Sequence, residues 1–368
     1  MPQLGVGIVP AGAVGSELSA LTRRAFIPRL VVQIYKATPL LSLLLRNAQR
    51  ARGGVSQVTV PVQGGSYVQF SWSDYSGIFP QPQVLTAAQN AEFNLKLGVV
   101  PIPFMGMEAL VQSSEVVVPI LKARMADAKT VAVQSISASL LASQNNQNVP
   151  GQTQIDNLYE CTDDGTNVAS YGGINRTTAG NSFWKGQLVT LGSAGAILTR
   201  AAFIRYIVQA SVGSATGNAS NPKYGISTGG GGEAPDFVVM APGDWTVLMQ
   251  DFITLSGGTT GPVEQFNTTP SARYGADDVI NSGFRGIMLG VTPIFMDPFC
   301  PKGTAYLINS RYLALYLSED APFAFSGFYS AIPNLQIANI GVLIAAFNVV
   351  CSKPSANMQL SGITGGAF

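Results

Sequence analysis

The residues best suited to chemistry lie close together in the stretch YGGINRTTAGNSFWKG, residues 171–186. This stretch places Arg176 directly before two threonines, after a glycine pair and ahead of an aromatic pair. An arginine beside hydroxyl groups on a glycine-rich turn is typical of a loop that binds phosphate or carboxylate. The same residue types would also suit a structural clamp between subunits. Residue types alone leave both interpretations open.

Adjacent carboxylates are the second candidate for chemistry, and they occur as three pairs: Asp163-Asp164, Asp277-Asp278 and Glu319-Asp320. Neighbours in sequence do not face each other in a helix or a strand, whereas catalytic carboxylates must converge on one cleft. The pairs are therefore typical of solvated turns. A hydrolase or transferase that uses Arg176 with Asp163 and Asp164 is kept as an alternative.

Histidine is absent from the 368 residues, which excludes Ser-His and Cys-His nucleophile pairs and removes the commonest metal ligand. Cys161, Cys300 and Cys351 lie far apart without CxxC spacing, so neither a zinc site nor a disulfide framework is predicted. The glycine run 229–232 lacks the Lys-Ser/Thr of a phosphate-binding loop and is typical of a linker. We expect no enzymatic activity, no cofactor and no metal.

The composition favours association between copies of the chain. Asp, Glu, Lys and Arg make up 11% of the residues, against roughly 25% in an ordinary soluble domain, and the net charge is +1. So little charge leaves a large neutral surface with weak repulsion between molecules. The alternative is that one large fold buries the apolar residues.

Positive charge is concentrated at the start of the chain. Residues 1–60 contain one acid, Glu17, and seven basic residues: Arg23, Arg24, Arg29, Lys36, Arg46, Arg50 and Arg52. This arm carries +6 and the remainder −5, so it should prefer an acidic partner, either nucleic acid or other subunits of a homo-oligomer. No secretory signal and no transmembrane segment is predicted.

Alternating apolar and polar residues predict a long antiparallel β-ribbon over residues 53–104. Two alternating runs flank Gly64-Gly65, which is a hairpin signal: Val58, Val60 and Val62, then Val68, Phe70 and Trp72. A third run, 93–99, ends in the prolines of VPIPF, which favour an edge strand or a strand end. Because a two-stranded ribbon is marginally stable alone, we expect its apolar face to lie on a neighbouring molecule.

Helical periodicity is strongest between residues 114 and 141. The apolar residues recur at three- and four-residue steps: Val118, Leu121, Met125, Ala128, Ala132, Ile136 and Leu140. A second stripe predicts another helix: Ile197, Ala201, Ile204 and Val208. A third helix should follow Asp244, which could cap it. Strands are predicted for PDFVVM and for four runs after residue 284, and this mixture indicates the α+β class.

This order of elements, from basic arm through ribbon and long helix to a strand-rich second half, resembles the major capsid protein of tailed bacteriophages, the Hong Kong 97-type fold. Two motifs carry the resemblance. YGGINRTT followed by NSFWKG is similar to the family's Gly-Gly/Leu-Ile-x-Arg-Thr-Thr turn, which precedes a Trp. FNVVCSKPSANMQLSGI near the end is similar to an N-x-V-C-x-x-P run that leads into a final strand.

The resemblance implies a division of the α+β fold into five parts. These are a basic N-terminal arm (1–52), an extended β-hairpin loop or E-loop (53–104), a first part of the peripheral domain with a spine helix at about 115–143 (105–195), an axial domain with a central mixed sheet (196–320), and return strands of the peripheral domain with the C-terminus (321–368).

The resemblance also implies a role for three groups of residues. Contacts between subunits are expected from the E-loop residues Val58, Val60, Val62, Tyr67, Phe70, Trp72 and Tyr75, and from the arm residues Arg23, Arg24, Arg29, Arg46, Arg50 and Arg52. The loop motif Gly172, Gly173, Ile174, Asn175, Arg176 and Trp184 is expected to be structural. Its arginine would hydrogen-bond carboxylates or carbonyls within the subunit or across a boundary.

The function implied is a shell built of pentamers and hexamers around a double-stranded DNA genome, located in the virion and assembled in the host cytoplasm. The expected partners are other copies of the chain, weakly and non-specifically bound DNA, a separate scaffolding protein, a portal and decoration proteins, but no membrane. The alternatives from other classes are the hydrolase or transferase above and a secreted surface-layer or outer-membrane β-barrel protein.

Overall fold

The fold is α+β, as the sequence predicts. A computed structural model of the chain describes residues 38–52, 54, 56–63, 88–105, 114–144, 154–178, 181–191, 198–212, 234–256, 286–289, 292–321, 323–330 and 338–364. Within these ranges, helices and strands are mixed without a βαβ alternation.

The helices of the described residues include one that is much longer than the rest. They are α1 (Pro39–Arg46), α2 (Ser114–Leu140), α3 (Leu158–Thr162), α4 (Arg200–Val212) and α5 (Pro242–Ser256), with two short 3₁₀ turns at Asn181–Trp184 and Pro354–Ala356. The 27 residues of α2 confirm the predicted long helix and span roughly 40 Å at 1.5 Å per residue. Its buried stripe includes Met125, Ala128, Ala132 and Leu140.

A five-stranded sheet is built around one long strand. Its members are β1 (Gln49–Ala51), β4 (Lys96–Met105), β12 (Leu313–Ser318), β13 (Ala324–Ser330) and β14 (Ala338–Cys351). β4, β12 and β13 each pair antiparallel with β14, while β1 pairs parallel with β12. Among the described strands β4 pairs with β14 alone, so its prolines lie on an edge strand as predicted. Helix α2 packs beside β4, where the Arg124 guanidinium donates to the Pro103 carbonyl at 3.0 Å.

A six-stranded mixed sheet forms the second layer. Its strands, in spatial order, are β7 (Gln187–Thr190), β15 (Met358–Ser361), β11 (Thr304–Ile308), β8 (Phe237–Met240), β10 (Thr292–Met296) and β9 (Gly286–Leu289). Alternate residues of β8 face different cores: Phe237 and Val239 join the core of the five-stranded sheet, while Val238 and Met240 pack with α4 and α5. Burial on both faces explains why the FVVM run is apolar throughout.

The base of the ribbon is formed by β2 (Gln57–Gln63) and β3 (Ala88–Asn94). These strands are antiparallel, with Val58 opposite Phe93 and Val60 opposite Ala91. The described partner of β2 is therefore the 88–94 segment, and the 68–72 run that the Gly-Gly signal suggested lies outside the described residues. The run predicted over 93–99 is divided at Leu95, whose N–H donates to the Ser56 carbonyl at 2.8 Å.

The ribbon base is sheltered by its own chain. Ala91 and Phe93 are fully buried, and Val58, Val60 and Val62 are half-buried against the main core. The expectation that the ribbon finds no cover on its own molecule is therefore wrong for its base. The end of the predicted arm also packs on its own chain, because α1 buries Leu40, Leu41 and Leu44 in that core.

The buried side of helix α4 is opposite to the side that the sequence predicts to be buried. The periodicity of Ala201, Ile204 and Val208 suggested a buried face, yet all three are exposed, Ile204 by 42% and Val208 by 55%. The buried positions are Phe203 and Ala210, which pack on the six-stranded sheet. Because α4 is apolar on two sides, its pattern predicts the helix correctly and the buried side incorrectly.

Two carboxylates lie buried near the start of α5. Asp244 lies inside the first turn and accepts the Gly303 N–H at 2.9 Å, so the prediction that it caps this helix is wrong. Asp297 follows β10 and accepts the Phe299 N–H at 3.0 Å through Oδ1. Its Oδ2 is buried and has no hydrogen-bond partner among the described residues. Burial raises the pKa of Asp297 to about 6, against a smaller lowering by the Phe299 N–H.

Asp297 should make the fold more stable at mildly acidic pH. Its pKa lies above the ordinary 3.8, so its stabilising contribution is fully present below about pH 4 and is lost as pH rises through about 6. We expect the stability advantage of wild type over Asp297→Asn to shrink by about 1 kcal/mol between pH 5 and pH 7.5. Urea unfolding of both proteins at the two pH values measures this difference, and an advantage that is equal at both would contradict it.

Candidate functional site

The loop that contains Arg176 is a tight β-hairpin. Strands β5 (Ser170–Tyr171) and β6 (Ile174–Asn175) pair with each other, and Gly172 and Gly173 form the turn between them. Both glycines have positive φ, +56° and +77°, which side chains with a Cβ rarely adopt. The glycine pair therefore sets the hairpin geometry that places Arg176 directly after β6.

Arg176 is fully buried and donates to three backbone carbonyls. Its Nε–H donates to Trp184 O at 3.0 Å, Nη1 to Glu160 O at 2.7 Å and Nη2 to Cys161 O at 3.3 Å. Burial lowers the pKa of this guanidinium from its usual value, against smaller opposing contributions from the groups around it. These bonds join α3, the hairpin and the Asn181–Trp184 turn within one subunit.

The aromatic residues of the motif complete the packing around this cation. The Tyr171 ring lies 4.8 Å from the guanidinium carbon, within the range of a cation–π contact. Trp184 is fully buried, and its indole N–H donates to the Tyr171 carbonyl at 2.8 Å. The Tyr171 hydroxyl in turn accepts the Cys351 N–H at 3.2 Å, which ties the hairpin to the end of β14.

The Asp163 carboxylate stabilises the turn that follows it in the chain. It is fully buried, and its carboxylate accepts the N–H groups of Gly165 at 2.8 Å and Val168 at 2.9 Å, as well as the Asn167 amide at 2.9 Å. Asp164 accepts the Thr166 N–H at 3.0 Å in the same turn. Carboxylates with these partners stabilise a loop. They do not converge with Arg176 on a cleft that a substrate could enter.

The hairpin also holds the base of the ribbon. The Glu92 N–H of β3 donates to the Gly172 carbonyl at 2.9 Å, and the Gln89 side chain donates to Asn181 Oδ1 at 2.9 Å. Phe93 packs edge-on to Tyr171 with ring centroids 5.2 Å apart. We call the interlocked set of Arg176, Tyr171, Trp184, Asp163 and Phe93 the arginine hub.

Two asparagines that the sequence did not single out belong to the same network. Asn348 donates to Asn94 O at 2.9 Å and to Asp156 Oδ2 at 3.1 Å, so it links β14 to the end of the ribbon. Asn357 accepts the Asn309 N–H at 2.9 Å. Both lie in the C-terminal stretch FNVVCSKPSAN, so the motif resemblance was the available signal for them.

The remaining predicted site residues are dispersed or lie outside the described residues. Three predicted contact residues are exposed and lie on or next to α1 and β1: Arg46, Arg50 and Arg52. The predicted contact residues outside the described ranges are Tyr67, Phe70, Trp72, Tyr75, Arg23, Arg24 and Arg29. In the described part of the chain, no helix combines the length and apolarity needed to span a membrane, and no three Cys, Asp or Glu side chains gather to hold a metal ion.

Replacing Arg176 with Met should lower the stability of the protein without changing the binding of any ligand. The substitution leaves three buried carbonyls without their donors, so the free energy of unfolding should fall by about 3–5 kcal/mol. Urea unfolding followed by tryptophan fluorescence measures this. Lys185→Met is the matched control, because Lys185 is exposed in the same loop and its loss should change stability by less than about 0.5 kcal/mol. Unchanged stability together with lost phosphate binding would instead identify a ligand site.

The two turn glycines allow the contact with the ribbon to be tested separately from backbone strain. Alanine at either position costs about 1–2 kcal/mol because both have positive φ. Only at Gly172 would the new Cβ also approach Phe93, at 2.8 Å from Cζ, whereas at Gly173 it would meet nothing within 4 Å. We expect Gly172→Ala to lower the unfolding free energy by about 1–3 kcal/mol more than Gly173→Ala. Equal losses in urea unfolding would show that Phe93 does not press on the turn.

Solved structures provide the comparison for this fold. No protein-family profile matches the sequence, and no curated protein matches it. A chain of the cyanophage A-1(L) capsid asymmetric unit is 14% identical and superposes with a TM-score of 0.62, over 89% of this chain and 93% of its own. The capsid of Myoviridae phage XM1 is 12% identical with a TM-score of 0.52, over 87% of this chain and 91% of its own.

A third structure is similar at about the same level. The capsid of the native GTA particle is 12% identical with a TM-score of 0.50, over 89% of this chain and 90% of its own. The identities are too low to carry residue roles across, but the likeness extends over almost the whole chain in each case. The resemblance inferred from the two motifs is thereby confirmed at the level of the fold: the chain has the α+β fold of phage capsid proteins.

Proposed function

We propose that this chain is the major capsid protein of a tailed double-stranded DNA bacteriophage and that its copies assemble into a closed icosahedral shell. A fold alone does not fix a function, so the proposal needs support from surfaces of this chain. That support is an exposed apolar face on the five-stranded sheet, together with the lack of an available polar site at the arginine hub.

The apolar sheet face is formed by β4 and β14. Residues that pair directly across antiparallel strands have side chains on one face, and here Leu97 pairs with Ala346, Val99 with Ile344 and Pro101 with Val342. Tyr329 of β13 pairs with Ile340 on the same face. Leu97 is 59% exposed, Val99 50% and Tyr329 61%. We call this set of residues the outer face.

The outer face fits contact with other copies of the chain. Contiguous exposed apolar surface on a soluble protein marks an interaction site, and this one contains no charged side chain among its named residues. The exposed side of α4, with Ile204 and Val208, is a second such surface. Different patches that meet head to tail give heterologous contacts, which close into rings when the rotation returns on itself. Pentamers and hexamers are rings of this kind.

Shell durability follows from the number of contacts and does not require any one of them to be strong. A subunit held by several neighbours leaves only when all of them release it, which raises the effective affinity without new contacts. The low charge of the chain, 11% with a net +1, reduces repulsion between the many copies that a shell brings together. A lone monomer would gain nothing from such a surface.

The parts of the capsid fold are assigned to this chain as follows. The peripheral domain consists of α2 and the five-stranded sheet, and the axial domain consists of α4, α5 and the six-stranded sheet. The E-loop consists of β2, β3 and the residues between them; its base rests on the arginine hub, and we propose that residues 64–87 contact a neighbouring subunit. Residues 96–104, which the sequence assigned to the E-loop, belong instead to β4 of the five-stranded sheet. Strands β7 and β15 pair with the axial sheet, so the chain crosses between the domains more often than the boundaries 105–195, 196–320 and 321–368 suggest.

Other partners follow from the same proposal. The arm, 1–52, contacts neighbouring subunits or the packaged DNA through Arg23, Arg24, Arg29, Arg46, Arg50 and Arg52. Binding to DNA is weak and insensitive to sequence, because a net charge of +1 neutralises few phosphates per subunit. A separate scaffolding protein, a portal and decoration proteins complete the particle, which is assembled in the host cytoplasm and becomes the virion shell.

The catalytic alternative lacks a usable site. A hydrolase or transferase would need Arg176 and Asp163 to face a substrate, whereas both side chains are fully buried and bonded to the backbone. We therefore propose a structural role without enzymatic activity. The hub clamps one subunit internally, as the structural interpretation of the loop requires.

Electron microscopy of the purified protein tests the proposal. Wild-type protein should form uniform polyhedral shells. The double variant Leu97→Lys/Val99→Lys should form at least roughly tenfold fewer shells, because burying an ammonium group against apolar surface costs several kcal/mol. Both positions are solvent-exposed in the subunit, so the variant should keep the circular dichroism spectrum and unfolding temperature of wild type.

Two further variants complete the experiment. Leu97→Met/Val99→Ile keeps the outer face apolar and should assemble normally. Replacing residues 64–87 with a short Gly-Ser turn keeps the paired strands β2 and β3 and should give soluble subunits without shells. Normal shells from the lysine variant would remove the outer face from the assembly contacts, and an absence of shells from wild-type protein under all conditions would contradict the proposed function itself.

A further inference from the structure

Two of the three cysteines come together beside the arginine hub, although they lie far apart in sequence. Cys161 is in α3, and Cys351 is the last residue of β14. Both are fully buried, and a single nitrogen, Nδ2 of Asn357, donates to both sulfurs, at 3.2 Å to Cys351 and 3.7 Å to Cys161. Two sulfurs that share one donor atom are neighbours in space.

The backbone on both sides of this pair is held by the hub. Arg176 donates to the Cys161 carbonyl at 3.3 Å, and the Cys351 N–H donates to the Tyr171 hydroxyl at 3.2 Å. The two Cα positions are therefore tied to adjacent members of one packed cluster. Disulfide formation requires such an arrangement, because the bond tolerates only a narrow range of separations between the two residues.

We propose that Cys161 and Cys351 are a reversible thiol–disulfide pair that closes an intrachain bond between α3 and β14 under oxidising conditions. Both S–H bonds break, one S–S bond forms, and two protons and two electrons pass to a two-electron oxidant. A peroxide is reduced to water in this step, and a diazene is reduced to the corresponding hydrazine. The sequence predicted no disulfide framework, because the cysteines lie far apart along the chain. Their spacing in sequence gives no information about this contact in the folded protein.

The redox state of the surroundings decides when the bond forms. A hydrogen bond with Cys351 and burial raise the pKa of the Cys161 thiol well above its usual value, so this thiol is protonated and slow to react at neutral pH. The cytosol keeps such thiols reduced, whereas an extracellular particle meets oxidants for long periods. If the chain forms a virion shell, as proposed above, the bond would close after release and fasten each subunit internally.

The disulfide would join the same two elements, α3 and β14, that Arg176 and Tyr171 already contact. A cross-link between 161 and 351 encloses about half of the chain and restricts the unfolded state, which raises stability. It also prevents α3 from separating from β14 when the subunit opens locally. The base of the ribbon, which packs on Tyr171, is stabilised with it.

Counting thiols before and after oxidation tests this inference. The purified full-length chain is incubated with the diazene oxidant diamide under native conditions, about ten degrees below its unfolding temperature, and free thiols are then counted in denaturant after the oxidant is removed. Wild type should fall from three thiols to one, with a 161–351 linkage in peptide mapping and a higher unfolding temperature. Dithiothreitol should reverse both changes.

Cysteine variants provide the matched controls. Cys161→Ser and Cys351→Ser should each keep both remaining thiols, while Cys300→Ser should lose both. Cys300 is an apt control because it is also buried but donates to the Thr304 carbonyl, at 3.4 Å, and does not contact another cysteine among the described residues. Three surviving thiols in wild type, or linkage through Cys300, would overturn the inference. The count is made on subunits whether or not they assemble, so a failure of the shell proposal would leave this result interpretable.

Discussion

A buried positive charge is the constraint on which the rest of this fold depends. Arg176 has no access to water, so its donors must all find acceptors inside the protein, and three of them find the carbonyls of Glu160, Cys161 and Trp184. Desolvating a guanidinium is costly unless these bonds are made with good geometry. These three bonds hold α3, the β5–β6 hairpin and the Asn181–Trp184 turn together. The cation therefore connects the parts of a region that contains little regular secondary structure.

From this region the order extends to both sheets. Tyr171 connects the hairpin to the end of β14, and Gly186 donates to the Asp163 carbonyl immediately before β7 enters the six-stranded sheet. Phe93 rests on the same tyrosine, so the ribbon leaves the body from a rigid base. If the ribbon contacts a neighbouring subunit, as proposed, it transmits force to this base, which packed aromatic rings and buried hydrogen bonds hold more firmly than a flexible hinge would.

The sequence predicted the features that depend on local pattern. The α+β class, the long helix α2, the buried strand β8 and the edge prolines of β4 follow from periodicity and residue type within a few neighbouring positions. The partner of β2 could not be predicted in this way, because Gly64-Gly65 is a local turn signal while β3 follows 24 residues after β2 ends. The buried side of α4 was predicted wrongly because Ile204 and Phe203 are equally apolar, and only the neighbouring sheet decides between them.

Arg176 illustrates the same limit at the candidate site. A ligand-binding loop and a structural clamp use the same residue types at the same spacing, and the difference between them is solvent access, which no local pattern encodes. The polar residues Asp163, Asp156 and Asn348 are likewise buried, while Leu97, Val99, Ile204 and Val208 are exposed. The chain thus uses polar groups to fix the conformation of one subunit and apolar groups on its outside. In a solitary protein that distribution would promote aggregation. In the proposed shell, directional hydrogen bonds inside would hold each subunit in one shape, and non-directional apolar contacts between subunits would tolerate the small differences in angle between rings of five and six copies.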